Sequence, residues 1–278
     1  MYLNDTSLEI ISRGEISHSY FFILYKVVTL NKEQILKYVL NNPDYFDFAK
    51  QEIIGRLNTN DNLTLEQIQK KFIEEIYQPL TKEEIEKILP ASQKAESELY
   101  PILHKMDISI NEPMKWIVIK SKDDYNWDLC YTQGNVIVLS QKKIDSGKDL
   151  ARTLAHEMVH IYQRKYPKLF RKFYKEKMGF EEFIPNEKQL ASIEELGIDK
   201  IYVENPDYCD MGLMIFKNKH LPISVILEGG KTPVNIVLEV DENGVTWNNK
   251  SYGMNSYDKM KLDQPNEMFA YNVTKNIN

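Results

Sequence analysis

Residues 150–167 read LARTLAHEMVHIYQRKYP, and the segment His156-Glu157-Met158-Val159-His160 inside them decides how the rest of the chain is read. The pattern is H-E-x-x-H. At about 100° per residue, two positions four apart lie roughly 40° apart on a helix, one turn above each other. Their imidazoles can therefore share one metal ion. The Glu between them lies too far round to join it, yet close enough to take a proton from a water that the metal activates. The chain holds five histidines in 278 residues, so chance rarely places two of them in this pattern. The bland alternative is a pair of core histidines with ordinary hydrogen bonds.

The flanking residues supply the helix. Leu150, Ala151, Leu154, Ala155, Met158, Val159, Ile161 and Tyr162 form a broad apolar stripe, which predicts a back face packed on a core and the histidines turned forward. Ser146 and Asp149 stand at capping-box spacing and predict the start. Pro167 predicts an end near Tyr166.

Two histidines leave a zinc ion short of a ligand. The longer H-E-x-x-H-x-x-G-x-x-H form fails, because positions 163 and 166 are Gln and Tyr. An acidic third ligand is then expected. Glu181, Glu182 and Glu187 are the near candidates, and Glu267 is a distant one. Glu187 and Glu267 each sit in Pro-Asn-Glu. Glu267 opens the predicted helix PNEMFAYNV, which Met268, Phe269 and Tyr271 can dock. Spacing alone does not choose between Glu187 and Glu267. Either also fits a solvated acid at a helix start, favoured by the helix dipole.

The whole chain sets bounds on this chemistry. It is 42% hydrophobic and 27% charged, with a net charge of −6, as expected of a globular protein with a sizeable core. It has no basic surplus of the kind that nucleic acid or a membrane surface selects. Cys130 and Cys209 make no disulfide framework and fit a reducing compartment. The opening MYLNDTSLEI lacks the features of a signal peptide, and the apolar run Tyr20–Leu30 is too short to span a bilayer. An intracellular protein is expected, with no membrane and no nucleic-acid partner.

Residues 1–100 are expected to be mainly helical. Asn31 can cap KEQILKYVL, Pro43 opens a segment through Arg56, and Thr64 with Gln67 and Thr81 with Glu84 form two capping boxes. Pro90 and Pro101 mark a boundary. The β-branched runs Trp116–Ile119 and Val136–Leu139 predict strands before the motif helix, with a turn at Gln133-Gly134. After it, Pro167–Met178 predicts a basic, aromatic helix. Residues 212–247 read as β-rich, with a hairpin turn at Asp241-Glu242-Asn243-Gly244. A last helix starts near Pro265.

In this order, the strand, LARTLAHEMVHIYQRKYP, Asn205-Pro206-Asp207 and Gln264-Pro265-Asn266-Glu267 resemble a group of zincin-like proteins of large DNA viruses, assigned as metallopeptidases. Their helix is similar to L-x-H-E-x-x-H-x-x-Q-R-x-x-P, followed by an N-P-D segment and a late H-P-N-E-x-x-A segment. The resemblance covers roughly residues 115–275. It implies an α+β zincin-like domain, 101–278, behind a helical region, 1–100. It also implies one catalytic zinc ion held by His156, His160 and Glu267 in the gluzincin manner. Two departures stand out: Gln264 replaces the commoner His, and Tyr271 stands where related enzymes carry an acid that orients a ligand histidine.

The expected activity is zinc-dependent peptide hydrolysis, with Glu157 as the base and a polypeptide as substrate, in a host cell or virion if the chain is virus-encoded. Asn205, Asp207, His220 and Tyr257 are candidates to line the cleft or steady the oxyanion, as are Tyr202, Tyr208 and Tyr252. His18 and His104 are expected to be structural or at the surface. Two other readings are a catalytically silent zincin fold that binds proteins, and a metal-dependent hydrolase of a non-peptide amide.

Overall fold

Six strands and their covering helices make the first half of the described chain. The computed structural model describes residues 9–11, 26–40, 63–108, 110, 115–122, 130–198, 213–225, 234–252 and 264–277. Among these, the mixture of helix and strand agrees with the expected α+β class. Two units divide the chain, residues 1–161 with 273–278, and residues 162–272.

In the first unit the strands are β1 (Glu9–Ile11), β2 (Lys26–Thr29), β3 (Tyr77–Gln78), β4 (Lys115–Ser121), β5 (Tyr131–Gln133) and β6 (Val136–Ser140). They pair in the order β1-β2-β4-β6-β5, with β3 against the end of β4. Pairs β2–β4 and β4–β6 are parallel, whereas β5 is an antiparallel edge strand. Every residue of β6 is buried, as both faces of a parallel sheet require. On one face Ile117, Ile119, Val136 and Val138 join Leu30, Ile35, Ile73 and Tyr77 in a core. Ile35 and Ile73 come from α1 (Lys32–Leu40) and α2 (Leu65–Ile76). The other face meets α3 (Lys82–Lys105), where Trp116 and Lys120 donate to Glu96 and Glu84.

The caps expected at Asn31, Thr64 and Thr81 all form, each with its reciprocal Gln or Glu three residues on. Among the described residues before 100, three short strands accompany the helices; β2, the KVVT run, and β3 both pair with β4. Two other expectations are corrected. Pro90 and Pro101 do not break the chain but lie inside α3. Both face solvent, and the buried stripe Ile88, Ala95, Leu99 and Leu103 outweighs a cost of about 3 kcal/mol for each proline. Ser146 does not cap the motif helix either. It ends a short helix, α4 (Gln141–Ser146), because Gly147 takes the left-handed conformation at φ 60° and closes it. The motif helix, α5 (Leu150–Lys165), starts only after Asp149, itself at φ 53°. The segment Pro43–Arg56 lies outside the described residues.

Pro167 stops α5 as expected and opens α6 (Pro167–Phe173), whose last turn widens to a π-helix over Tyr174–Met178. The second unit then builds a five-stranded antiparallel sheet. Its strands are β7 (Phe180–Glu182), β8 (Met214–Phe216), β9 (His220–Val225), β10 (Val234–Asp241) and β11 (Gly244–Tyr252). They neighbour one another in sequence order. Asp241 closes the expected hairpin by accepting from the backbone N–H groups of Asn243 and Gly244. A side chain at Gly244 would meet the Ser192 hydroxyl of α7 (Glu187–Glu195), which would have to turn aside and give up its bond to the Lys188 carbonyl. The last helix, α8 (Pro265–Thr274), starts where Pro265 predicts. No helix among the described residues is long and apolar enough to cross a membrane.

One buried group makes the first unit sensitive to pH. Glu96 is 1% exposed, accepts from the Trp116 indole, and is pushed up to about 8 by burial, which that hydrogen bond only partly offsets. A carboxyl raised in the fold stabilises most below its unfolded value of about 4.3, and loses that contribution as pH rises toward 8. Glu96→Gln keeps the acceptor and removes the charge. Urea titrations at pH 5 and pH 8 should show the variant more stable by about 1–3 kcal/mol at pH 8 and little changed at pH 5. An equal effect at both pH values would contradict this account.

Candidate metal centre

Helix α5 is covered almost all round. Its predicted stripe is buried at every position, from Leu150 to Tyr162. On its polar side Glu157, His160 and Gln163 are buried, Arg152, Thr153, His156 and Arg164 are half-buried, and Lys165 is exposed. Side chains such as Leu154, Met158 and Tyr162, each fully buried, stabilise the helix by about 1.5–3 kcal/mol apiece. That is ample to hold a short polar strip out of water, provided each polar group finds a partner.

The two motif histidines meet edge to face, with ring centroids 4.6 Å apart and their Nε2 atoms 3.0 Å apart. Two imidazole nitrogens that close repel unless a proton or a cation lies between them. Glu267 completes the group: one ligand atom from each of His156, His160 and Glu267 lies within 4.8 Å of the others. Ligands on a tetrahedral zinc ion, with bonds of about 2.1 Å, sit about 3.4 Å apart. Two neutral imidazoles and one carboxylate at these separations are a donor set that suits zinc.

Glu267 is held in place from two sides. It stands in the first turn of α8, where the helix dipole favours a negative charge. Phe269 packs against Phe170, Phe173 and Tyr174 at centroid distances of 5.3, 5.2 and 6.1 Å. The docking expected of Met268, Phe269 and Tyr271 thus falls chiefly on Phe269, with Met268 and Tyr271 half-buried. The other hold is polar. Gln163 Nε2 donates to the Tyr174 hydroxyl (2.8 Å) and to the Asn266 carbonyl (3.0 Å). Tyr174 in turn donates to Asn266 Oδ1 (2.7 Å). Burial, with the nearby Glu267 charge, holds the Tyr174 phenol well above its ordinary range, although the Gln163 bond pulls the other way. It stays a neutral donor.

The remaining candidates separate. Glu181, Glu182 and Glu187 are exposed, Glu181 pairing with Lys175 and Glu187 starting α7 behind the Asn186 cap. Glu187 is the solvated helix-start acid that the dipole reading allows, whereas Glu181 and Glu182 lie on strand β7. His220 opens β9 opposite Glu239, and His104 is exposed in the last turn of α3. Tyr252 ends β11. Asn205, Asp207, Tyr202, Tyr208, Tyr257, His18 and Cys209 lie outside the described residues. Gln264 turns to the second sheet, donating to the Ser224 hydroxyl at 3.4 Å, which itself donates to Asn235.

One neighbour of the centre carries no signal in the sequence. Cys130, at the start of edge strand β5, lies within the field of Glu157. Burial first, then that carboxylate, pushes its thiol up to about 12, with Ser140 and Lys143 offsetting only part. Comparison with family models, with curated proteins and with solved structures finds no match.

The Cys130 environment gives a direct check on where Glu157 sits. Alkylation of Cys130, followed by peptide mass spectrometry, should be slow up to pH 9 in the folded protein. Glu157→Gln should speed it several-fold by removing the repelling charge. An unchanged rate would place Glu157 away from β5.

Proposed function

We propose that this chain is a zinc-dependent peptidase of the zincin type. The observation that carries the reading is the convergence of His156, His160 and Glu267 on one point, beside the buried Glu157. Zinc held there supplies a Lewis acid that lowers the pKa of water toward 7 and polarises a carbonyl. Glu157, on the same helix turn, accepts the proton of the attacking water and returns it to the leaving amine. A purely structural ion has no use for that carboxylate, which argues against a silent binding module.

Zinc affinity, measured by competition with a chromophoric chelator, should fall by about 100-fold or more in Glu267→Ala and stay unchanged in Glu187→Ala. The reverse outcome would reassign the third ligand. Glu157→Gln should keep zinc and lose hydrolysis of an unstructured protein substrate by about three or more orders of magnitude. Cleavage at the unmutated rate would sink the mechanism.

A further inference from the structure

The three-way contact of Gln163, Tyr174 and Asn266 does more than fill a buried space. We propose that these residues form a positioning clamp that sets Glu267 against the two motif histidines and so tunes the affinity and geometry of the metal centre. The proposal rests on the zinc reading given above.

The geometry carries it. The Asn266 carbonyl that Gln163 grips belongs to the peptide unit joining Asn266 to Glu267. Fixing that plane fixes the direction in which Glu267 leaves the backbone. Gln163 lies on α5, three residues past His160, so the donor that holds the Glu267 peptide and the histidine that would share its metal ride on one helix. The distance between ligands is then set by a rigid element plus one pair of hydrogen bonds. Both protons of the Gln163 amide are used, one on Asn266 and one on Tyr174. The Tyr174 hydroxyl accepts one bond and donates the other. The triangle closes, and all three residues are fully buried.

A role in the fold alone would need no such aim. A buried apolar trio would pack as well, without the risk of about 1–3 kcal/mol for each unsatisfied polar group. The polar partners of a ligand typically change metal affinity by 10–100-fold when removed. Here they act on the carboxylate arm, where position 271 offers a tyrosine rather than an acid.

The test measures zinc affinity by chelator competition for the full chain and for Gln163→Met, Tyr174→Phe and His156→Ala, with the thermal midpoint of each in chelator. The cobalt-substituted forms add visible spectra. Gln163→Met and Tyr174→Phe should each weaken zinc by about 10–100-fold and alter the cobalt bands, while His156→Ala abolishes tight binding. If both clamp variants bind zinc within threefold of wild type while His156→Ala does not, the clamp is wrong and the metal reading stands. If wild type itself binds no zinc, the metal reading fails first. Should a variant not fold, the wild-type protein decides. Side-chain amide protons of a glutamine should resist exchange with solvent and shift on zinc addition, and fast exchange unaffected by zinc would overturn the clamp.

Discussion

Burial of α5 on nearly every side is the constraint from which the rest follows. A helix with apolar neighbours behind it and a protein-covered polar strip in front obliges its buried imidazole and amide groups to find protein partners. His156 and His160 turn to each other and to Glu267. Gln163 spends both amide protons on Tyr174 and Asn266. The packing that makes the helix stable also makes its polar groups converge, and their convergence brings the carboxylate of a distant helix to the histidines.

That coupling explains how stability and chemistry share residues here. Phe269 anchors α8 through aromatic contacts at Phe170, Phe173 and Tyr174. Tyr174 serves twice, as a ring in that cluster and as a hydroxyl in the polar triangle. Near the first sheet, Glu84 shows the same balance between burial and pairing. Desolvation pushes its carboxyl up, yet hydrogen bonds from Lys120, Thr81 and Gln141 prevail and hold it below the usual range. Glu96 lacks comparable partners, and burial wins.

Much of this was legible before any coordinates, wherever a local rule governs. The capping boxes at Thr64 and Thr81, the stop at Pro167, the turn at Asp241 and the helix at Pro265 each depend on a few neighbouring residues, and each forms. Spacing alone could not separate Glu187 from Glu267, because both sit in the same tripeptide. Their difference is tertiary: one faces solvent on α7, the other is held beside α5. Gln163 stood out only as a departure from the glycine of the longer motif, and the fold alone reveals its partners. Ser146 misled because a left-handed Gly147 ends one helix just where a capping box would start the next. Pro90 and Pro101 misled because the buried stripe of α3 outweighs them.

The central claim is that one metal ion sits where two histidines of α5 meet the first turn of α8. A crystal soaked in zinc, with anomalous data on both sides of the zinc edge, measures this directly. The account predicts a single strong peak bonded to His156 Nε2, His160 Nε2 and a Glu267 carboxylate oxygen, at about 2.0–2.2 Å. A peak held by other residues, or no peak between the two imidazoles in zinc-saturated crystals, would contradict it.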